Sequence, residues 1–516
     1  MGMIVAMDNE SVGYFKENGD TIAKFGLTYP RFYADTTMDR TPYDPRVIYD
    51  RYANRFIAYN SYRSQDYKDS RVLVSFSKPL VGDTVEWYTY QVHCDSIYQG
   101  QEERMYWFDF PSIAVSESQL IVSVTIARRD TVSNTNTVTT NVVMQFLKAD
   151  GYAGLPTVRR RLWKDVTNTD GVKDLEIAAA IDALQSPGYD TTVYLLSNYD
   201  GNSTKFFWYE LLGGPLNPNA QLVCHETATS FYYSAPAYAS QLGGNGGDRI
   251  AINGCDVQAC LYQNGKLHFV MIRSDNGWAQ LVHGRIDLQS NGFQASTWGG
   301  NGTGYNCLHP SIASVGVDTV EESFLIGFLR TGPNMLPEVC VIGHDSIWSG
   351  TATVVKAGQG LIDLRMDVQS PWDSLERWGD YTAIQRRYGD PNRRCWMVGA
   401  YPFGAVPNHF GMVDGVNGWI AEVGDSLAVL GVGVQASLGS VTVYPNPVHR
   451  GERLRVLLPC KESARMCVSD AQGRLCMTAK VQDGCGELQF TANGIYFVKV
   501  ESKRYVYETQ RIVVLD

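Results

Sequence analysis

Seven short segments recur along the chain, each a run of β-branched or small residues, several led in by Asp or Pro. They are IVAMDN (4–9), DPRVIYD (44–50), DFPSIAV (109–115), DLEIAAAID (174–182), CDVQACLY (255–262), HPSIASV (309–315) and GDYTAIQ (379–385). Aligned on Val47, Ile113, Ile177, Val257, Ile312 and Ala383, consecutive segments stand 55 to 80 residues apart, and Ala6 precedes Val47 by 41. Each interval has room for three more strands. RVIYD is followed by RFIAYNSYR, SRVLVSFSK and EWYTYQVH, and CDVQACLY by KLHFVMIRS and AQLVHGRID. Apolar and polar residues alternate with period two through most of these stretches, the pattern of strands rather than helices.

A four-stranded unit repeated about seven times restricts the fold, because neighbouring units must stack to bury a continuous core. The expectation is an all-β chain whose body is a seven-bladed, alternatively six-bladed, β-propeller. A string of sandwiches would show clear linkers and units nearer ~100 residues. LEIAAAIDALQ (175–185) could form a helical turn, but its register with the other leading segments favours a strand.

At 516 residues the chain should divide into more than one domain. Its 30 Tyr, 11 Trp and 49 Gly suit half-buried strands joined by tight turns. Of the net charge of −10, residues 437–516 contribute 11 Lys+Arg against 8 Asp+Glu, leaving 33 against 46 on residues 1–436. An acidic body repels phosphate backbones and anionic lipid, so no nucleic-acid partner is expected. No apolar run reaches the ~18 residues of a transmembrane helix, and MGMIVAMDNE has no signal-peptide pattern. The 11 cysteines contain no CxxC pair, which argues against structural zinc. Cys460, Cys467, Cys476 and Cys485 could bridge in an oxidising compartment or remain reduced thiols.

Alternation lapses into Gly and small residues at DSLAVLGVGVQASLGS (425–440) and then returns. The expected domains are therefore a propeller at 1–424, a linker at 425–439 and a small immunoglobulin-like β-sandwich at 440–516. The tail carries Tyr444-Pro445-Asn446-Pro447 after Val443, then Leu454-Arg-Val456, Val468-Ser-Asp-Ala-Gln-Gly473-Arg474, Asn493-Gly494-Ile-Tyr496-Phe-Val-Lys-Val500 and a final strand, Gln510–Leu515. Two prolines fix φ and withhold ladder donors, Gly473 suits φ > 0 in a hairpin turn, and Gly494 opens a strand. In this order the motifs resemble the type A C-terminal sorting domain of type IX secretion cargo. The resemblance implies a partnership with the type IX machinery, export across an outer membrane, removal of the tail, and a body that is secreted or held at the cell surface.

The body resembles exported bacterial propellers of the sialidase-like, BNR-repeat kind. That resemblance rests on NESVGYFKENG (9–19), DPRVIYD with Asn54-Arg-Phe56, Arg377-Trp-Gly-Asp380-Tyr381, and Trp396-Met-Val-Gly-Ala-Tyr401. The N-terminus departs from it, Met1 falling inside the expected first strand. In a propeller the first strand of each unit lines a central channel. Asp44, Asp109, Asp174, Asp248 and Asp380, at or near such strands, either cap turns through Asx hydrogen bonds or form a carboxylate ring able to bind calcium. The residues chosen for a binding site are Asp44, Asp50, Arg377, Asp380 and Tyr381, with Asp44 and Asp380 as calcium ligands; no cofactor is required.

For a sialidase-like enzyme, Arg46, Arg51, Arg377 and Tyr381 would have to converge, with arginines clamping a substrate carboxylate. The full Asp-box repeat is absent, Ser274–Trp278 being a shortened echo, and so is the Arg-Ile-Pro signature. His225-Glu226 lacks a zincin's second histidine, position 229 being Thr. Phe231-Tyr-Tyr233 with Tyr238 could stack on sugar rings or fill a blade. The functional expectation is non-catalytic binding of a glycan or an extracellular protein, with a glycoside-processing enzyme at the channel mouth as the alternative.

Overall fold

The structure, a computed structural model, describes every residue except 1, 28–32, 34, 36, 81, 83–84, 99–104, 131–134, 200–201, 243–248, 346–347, 349, 363–374, 391, 409–410, 425–429, 434–440, 459–462, 471–473 and 503–509. The described chain is almost wholly β. It divides into two compact units, Met1–Tyr401 with Gly418–Val432 and Pro402–Asn417 with Gly433–Asp516.

The first unit is a succession of meanders. The first sheet holds β1 (Met3–Met7), β2 (Ser11–Lys16) and β3 (Thr21–Gly26). The second holds β4 (Tyr43–Asp50), β5 (Arg55–Arg63), β6 (Ser70–Ser77) and β7 (Trp87–His93). The third holds β8 (Tyr106–Val115), β9 (Gln119–Arg129), β10 (Asn136–Leu147) and, after the short helix α1 (Lys148–Tyr152), β11 (Arg160–Lys164). The fourth holds β12 (Ala178–Asp182), β13 (Thr192–Asn198), β14 (Asn202–Leu212) and β15 (Gln221–Ser234). After β16 (Arg249–Ile250) comes the fifth, β17 (Ala259–Gln263), β18 (Lys266–Asp275), β19 (Trp278–Asp287) and β20 (Gly292–Gly299). The sixth is β21 (Asn306–Ser314), β22 (Phe324–Gly332), β23 (Met335–His344) and β24 (Thr353–Lys356). Then β25 (Leu375–Glu376) pairs with β16, and the seventh sheet follows as β26 (Ala383–Arg386), β27 (Cys395–Asn408), β28 (Gly411–Val423) and β29 (Leu430–Gly433), of which Pro402–Asn417 and Gly433 belong to the second unit. Each of the seven recurring segments supplies, or runs directly into, the leading strand of one meander, the fourth and fifth meanders joining through β12 and β17 into one eight-stranded sheet. Ile177 and Val257 lie just ahead of β12 and β17. Residues 178–182 are strand, as their register suggested, and β29 lies inside the span expected to be a linker.

Sheet packing follows from alternation. Along β9, Leu120, Val122, Val124 and Ile126 pack with Val74, Phe76 and Phe108, while Ile121 turns the other way onto Val193, Leu195 and Phe207 of the fourth sheet. A strand with both faces apolar needs a sheet on each side, and each such aliphatic side chain contributes about 1.5–3 kcal/mol when fully buried. The same layering joins the other sheets. Val12, Tyr14 and Leu27 pack with Phe56, Tyr62 and Leu73, Phe206 and Trp208 with Phe269 and Met271, and Val270 and Leu281 with Ile312 and Phe328. Met397 of the seventh sheet lies so close to Gly327 of the sixth that a Cβ there would meet its methyl at 2.7 Å. Between the seventh and first sheets Arg387 pairs with Glu17 at 2.5 Å. Leading strands also neighbour one another: β12 and β17 pair in parallel, and Gln385 of β26 donates to Tyr49 O and accepts from Tyr49 N–H on β4, both at 3.1 Å.

In the second unit the tail forms two sheets. One holds β30 (Thr442–Tyr444), β32 (Arg453–Leu457) and β35 (Cys485–Gln489). The other holds β31 (Val448–His449), β33 (Ala464–Asp470), β34 (Leu475–Val481), β36 (Gly494–Ser502) and β37 (Gln510–Leu515). Leu454, Val456, Met466, Val468, Leu488, Val498, Val500, Ile512 and Val514, taken from the alternating positions, are buried.

Candidate functional site

Three leading strands share one irregularity. Asp44, Phe110 and His309 each precede a proline and adopt φ of 50°, 49° and 47°, and the ladder shifts register around each of them. Proline cannot donate to the ladder, so a bulge forms there. A left-handed conformation costs a non-glycine residue about 1–2 kcal/mol, and bulges of this kind re-aim side chains beside functional sites. Here they deliver Asp44, Phe110 and His309 to one place.

Asp44 accepts a hydrogen bond from Phe110 N–H at 3.0 Å, and its own N–H donates to Asn9 Oδ1 at 2.9 Å. Burial, then the neighbouring Asp109 carboxylate, pushes the Asp44 carboxyl up to about 8, so it holds its proton at neutral pH. Arg46, two residues on, donates from Nε to Pro111 O at 2.8 Å, and its guanidinium lies 3.6 Å from the centre of the Tyr381 ring. Phe110 packs on the same ring at 5.1 Å. The loop ahead of β26 supplies Asp380, which accepts from Asn253 Nδ2 and Arg377 Nη2, each at 2.5 Å. Burial works to raise the Asp380 carboxyl, but the Arg377 hydrogen bond and charge overcome it and hold it below the usual range. Arg377 is the outermost member, its side chain 69% exposed against 14% for Asp380. His309 is completely buried, both ring nitrogens lack a hydrogen-bond partner among the described residues, and burial lowers its pKa to about 4. The Tyr381 hydroxyl is likewise buried without a partner among the described residues.

Of the residues chosen from sequence, Asp44, Arg377, Asp380 and Tyr381 come together, joined by Arg46 and Asp109. Asp50 does not join them. It lies six residues further along β4, roughly 20 Å at strand spacing, and accepts from Lys148 Nζ at 2.7 Å, Tyr152 OH at 2.8 Å and Tyr52 N–H at 3.0 Å. Arg51 is also elsewhere, paired with Asp182 at 2.9 Å. Asp174 is held within its own sheet by Asn168, Ser197 and Tyr209, and Asp248 lies outside the described residues. Among the described residues no group of three or more His, Cys, Asp or Glu side chains is arranged to hold a metal ion. His309 and Asn253 were not singled out from sequence. The signal for His309 was present: aligned on proline, Asp44-Pro, Phe110-Pro and His309-Pro occupy one position of the repeat.

The aromatic stretch divides. Tyr233 is buried and donates to Lys205 O at 2.7 Å, Phe231 packs on Phe293, and Tyr232 and Tyr238 are exposed. The ten described cysteines are free thiols; Cys460 is outside the described residues.

In the tail, Asn446 holds the final strand, donating to Arg511 O at 2.8 Å and accepting from Val513 N–H at 3.0 Å. Gly494 has φ of 143°, and Tyr496 donates to Ala492 O at 3.1 Å and packs on Phe490 at 4.7 Å. Asp470 accepts from Arg474 N–H at 3.0 Å and Nε at 2.8 Å, and Gly473 is outside the described residues. Tyr444 is exposed beside Pro445 and Pro447.

The chain is an all-β, propeller-like body ending in a small two-sheet tail. Residues 442–515 match the family described as secretion system C-terminal sorting domain. The tail is a type IX sorting domain, and the protein is secreted or displayed at the cell surface. No helix among the described residues is long and apolar enough to cross a membrane. No curated protein matches the chain. Solved structures similar to it include Trypanosoma rangeli sialidase in complex with sialic acid, at 9% identity and a TM-score of 0.38, over 99% of this chain and 88% of that one. Another is polysaccharide lyase Uly1, at 11% identity and a TM-score of 0.31, over 78% and 90%. A third is PorZ, a surface component of the type IX system of Porphyromonas gingivalis, at 10% identity and a TM-score of 0.16, over 100% and 97%.

Proposed function

We propose that the body is a seven-bladed propeller that binds an extracellular glycan without catalysis, and that an immunoglobulin-like sorting sandwich delivers it. Seven sheets packed in order, with Arg387–Glu17 and Gln385–Tyr49 joining the last to the first two, support the ring. The observation that carries binding is convergence: Asp44 and Arg46, Asp109, Asn253, His309, and Arg377 with Asp380 reach one mouth from five separate lead-in segments. Their commitment to one another favours binding over chemistry. The Tyr381 hydroxyl is enclosed and held well above its ordinary pKa by burial, a poor nucleophile, and the Arg46 guanidinium is stacked on that ring.

The purified full chain, screened on a glycan array with and without EDTA, is expected to retain glycans through the mouth. Binding abolished by EDTA would support calcium at Asp44 and Asp380. Silence under both conditions would remove the glycan reading in favour of a protein ligand or scaffold role. One feature keeps an enzyme in play: Asp44, a buried carboxyl raised by burial and by Asp109 beside it, is of the kind that general acid catalysis uses. Hydrolysis of a fluorogenic glycoside, abolished by Asp44→Asn, would establish that alternative.

Removing residues 442–515 in the native host is expected to leave the body in the periplasm. Normal surface display of the truncated chain would overturn the tail's role in delivery.

A further inference from the structure

We infer that Arg63, stacked on Tyr67 and Trp107 beside the mouth, forms a subsite for an oxyanion, the carboxylate or sulfate group of an acidic glycan. This rests on the reading of the mouth as a glycan site and adds the class of sugar it takes.

The subsite is built where the second and third meanders meet. Arg63 closes β5, Tyr67 lies between β5 and β6, Trp107 stands at the start of β8, and Arg129 closes β9. The Arg63 guanidinium lies 4.0 Å from the centre of the Tyr67 ring and 4.9 Å from that of Trp107, and the two rings meet edge to face at 5.5 Å. Arg129 approaches the same Tyr67 ring, its guanidinium 4.5 Å from the centre. Trp107 donates from Nε1 to Asp109 Oδ2 at 3.4 Å, which ties this platform to the mouth. Tyr67 has φ of 64°, a conformation unfavourable for an aromatic residue and of the kind that gathers at binding sites.

Stacking uses the faces of a guanidinium and leaves its N–H edge for hydrogen bonds. Arg63 finds none. Among the described residues its nitrogens have no acceptor and no carboxylate pairs with it; Nε is enclosed in that state, while the side chain as a whole is only half-buried. Arg71 of β6 shows the ordinary outcome for an arginine in this sheet, donating to Asp35, Thr37, Asp69 and Gln91. In a chain with 54 acidic residues against 44 basic ones, a guanidinium without an anion, set against a ring that a second guanidinium also approaches, is open to an incoming negative charge. An oxyanion accepts parallel N–H bonds from such a fork. The rings already hold the fork in place, so little side-chain freedom is lost on binding.

The test compares paired glycans on one array, identical except that one member carries a carboxylate or a sulfate ester where the other carries a hydroxyl, probed with the full chain at pH 7. Acidic members are expected to bind at least about tenfold more tightly, and the two kinds of acidic member separate a carboxylate site from a sulfate site. Equal or tighter binding of the neutral members overturns the subsite while leaving the glycan reading standing. Absence of binding to every member overturns the glycan reading, and the subsite with it. Arg63→Gln, shown to be folded by its urea midpoint, is expected to bring acidic members down to the neutral level and to leave neutral binding within about twofold of the wild type. Tyr67→Leu keeps the charge but removes its platform, and a loss confined to the acidic members is expected there too. A preference for acidic members that survives both substitutions shows that Arg63 serves packing alone.

Discussion

Replacing Lys148 by methionine will destabilise the body by about 3–5 kcal/mol, the range expected when one partner of a buried ion pair is removed. Asp50 is fully buried, and the Lys148 side chain is only 3% exposed. Burial lowers the Lys148 pKa, an effect that Asp50 works against. Without Lys148, the Asp50 carboxylate keeps, among the described residues, Tyr152 OH and Tyr52 N–H and must hold a charge inside the protein or take up a proton. The loss is not the worth of the pair itself. In Asp50→Asn with Lys148→Met both charges are gone, the amide oxygen can accept from Tyr52 N–H, and the amide NH2 can donate to the Tyr152 hydroxyl oxygen. The double variant should therefore lie within about 1–2 kcal/mol of the wild type. Urea denaturation of the four chains of this cycle measures the difference. Equal losses in the Lys148→Met single and the double variant would mean that an uncompensated charge is not the cause. Glycan binding by the folded double variant should be unchanged, since Asp50 faces α1 and not the mouth.

That separation of Asp50 from Asp44 marks how far the sequence could be read. The recurring segments placed the leading strand of each of the seven meanders, because β-branched and small residues between turn signals reflect a local pattern. The tail was legible for the same reason, its motifs being short turns and alternating strands within one small sandwich. The site was legible only in part. Asp44 and Asp50 lie on one segment, and sequence treats them alike. A strand of that length spans roughly 20 Å, however, and its two ends serve different neighbours. Which end meets Arg377, more than 300 residues later, depends on the order in which the sheets close, and no local pattern states it. His309 was hidden by its company: a histidine in an apolar run is ordinarily core, and the bulge it shares in kind with Asp44 and Phe110 is what sets it apart, within the reach of the Asp380 and Arg377 charges.

A second row of histidines carries the other large effect, loss of stability as the pH falls from 6.5 to 4.5. His268 of β18 and His283 of β19 face each other at 3.4 Å, His283 meets His344 of β23 at 3.1 Å, and His344 reaches Ser296 of β20 at 2.7 Å. The row lies between the fifth and sixth sheets under Phe324 and Trp348. Glu322 approaches His268 at 3.9 Å, but Lys266 and Arg285 already pair with that carboxylate, and Asp345 acts on His344 from outside. Each histidine–histidine hydrogen bond needs a neutral acceptor, so a proton on one ring disturbs the next. Burial lowers the pKa of His268 from 6.5 to about 3, and those of His283 and His344 also fall. Between these values the unfolded chain binds the proton and the folded chain does not. Stability from this source is therefore intact above pH 6.5 and declines as pH drops toward the folded value. For His268 alone the loss at pH 4.5 is about 3 kcal/mol. Urea midpoints measured at half-unit steps across the window should fall steeply for the wild type and less steeply for His283→Gln, which cannot take up a proton. An identical pH slope in that variant would mean that the acid sensitivity arises elsewhere and that the row is merely packed.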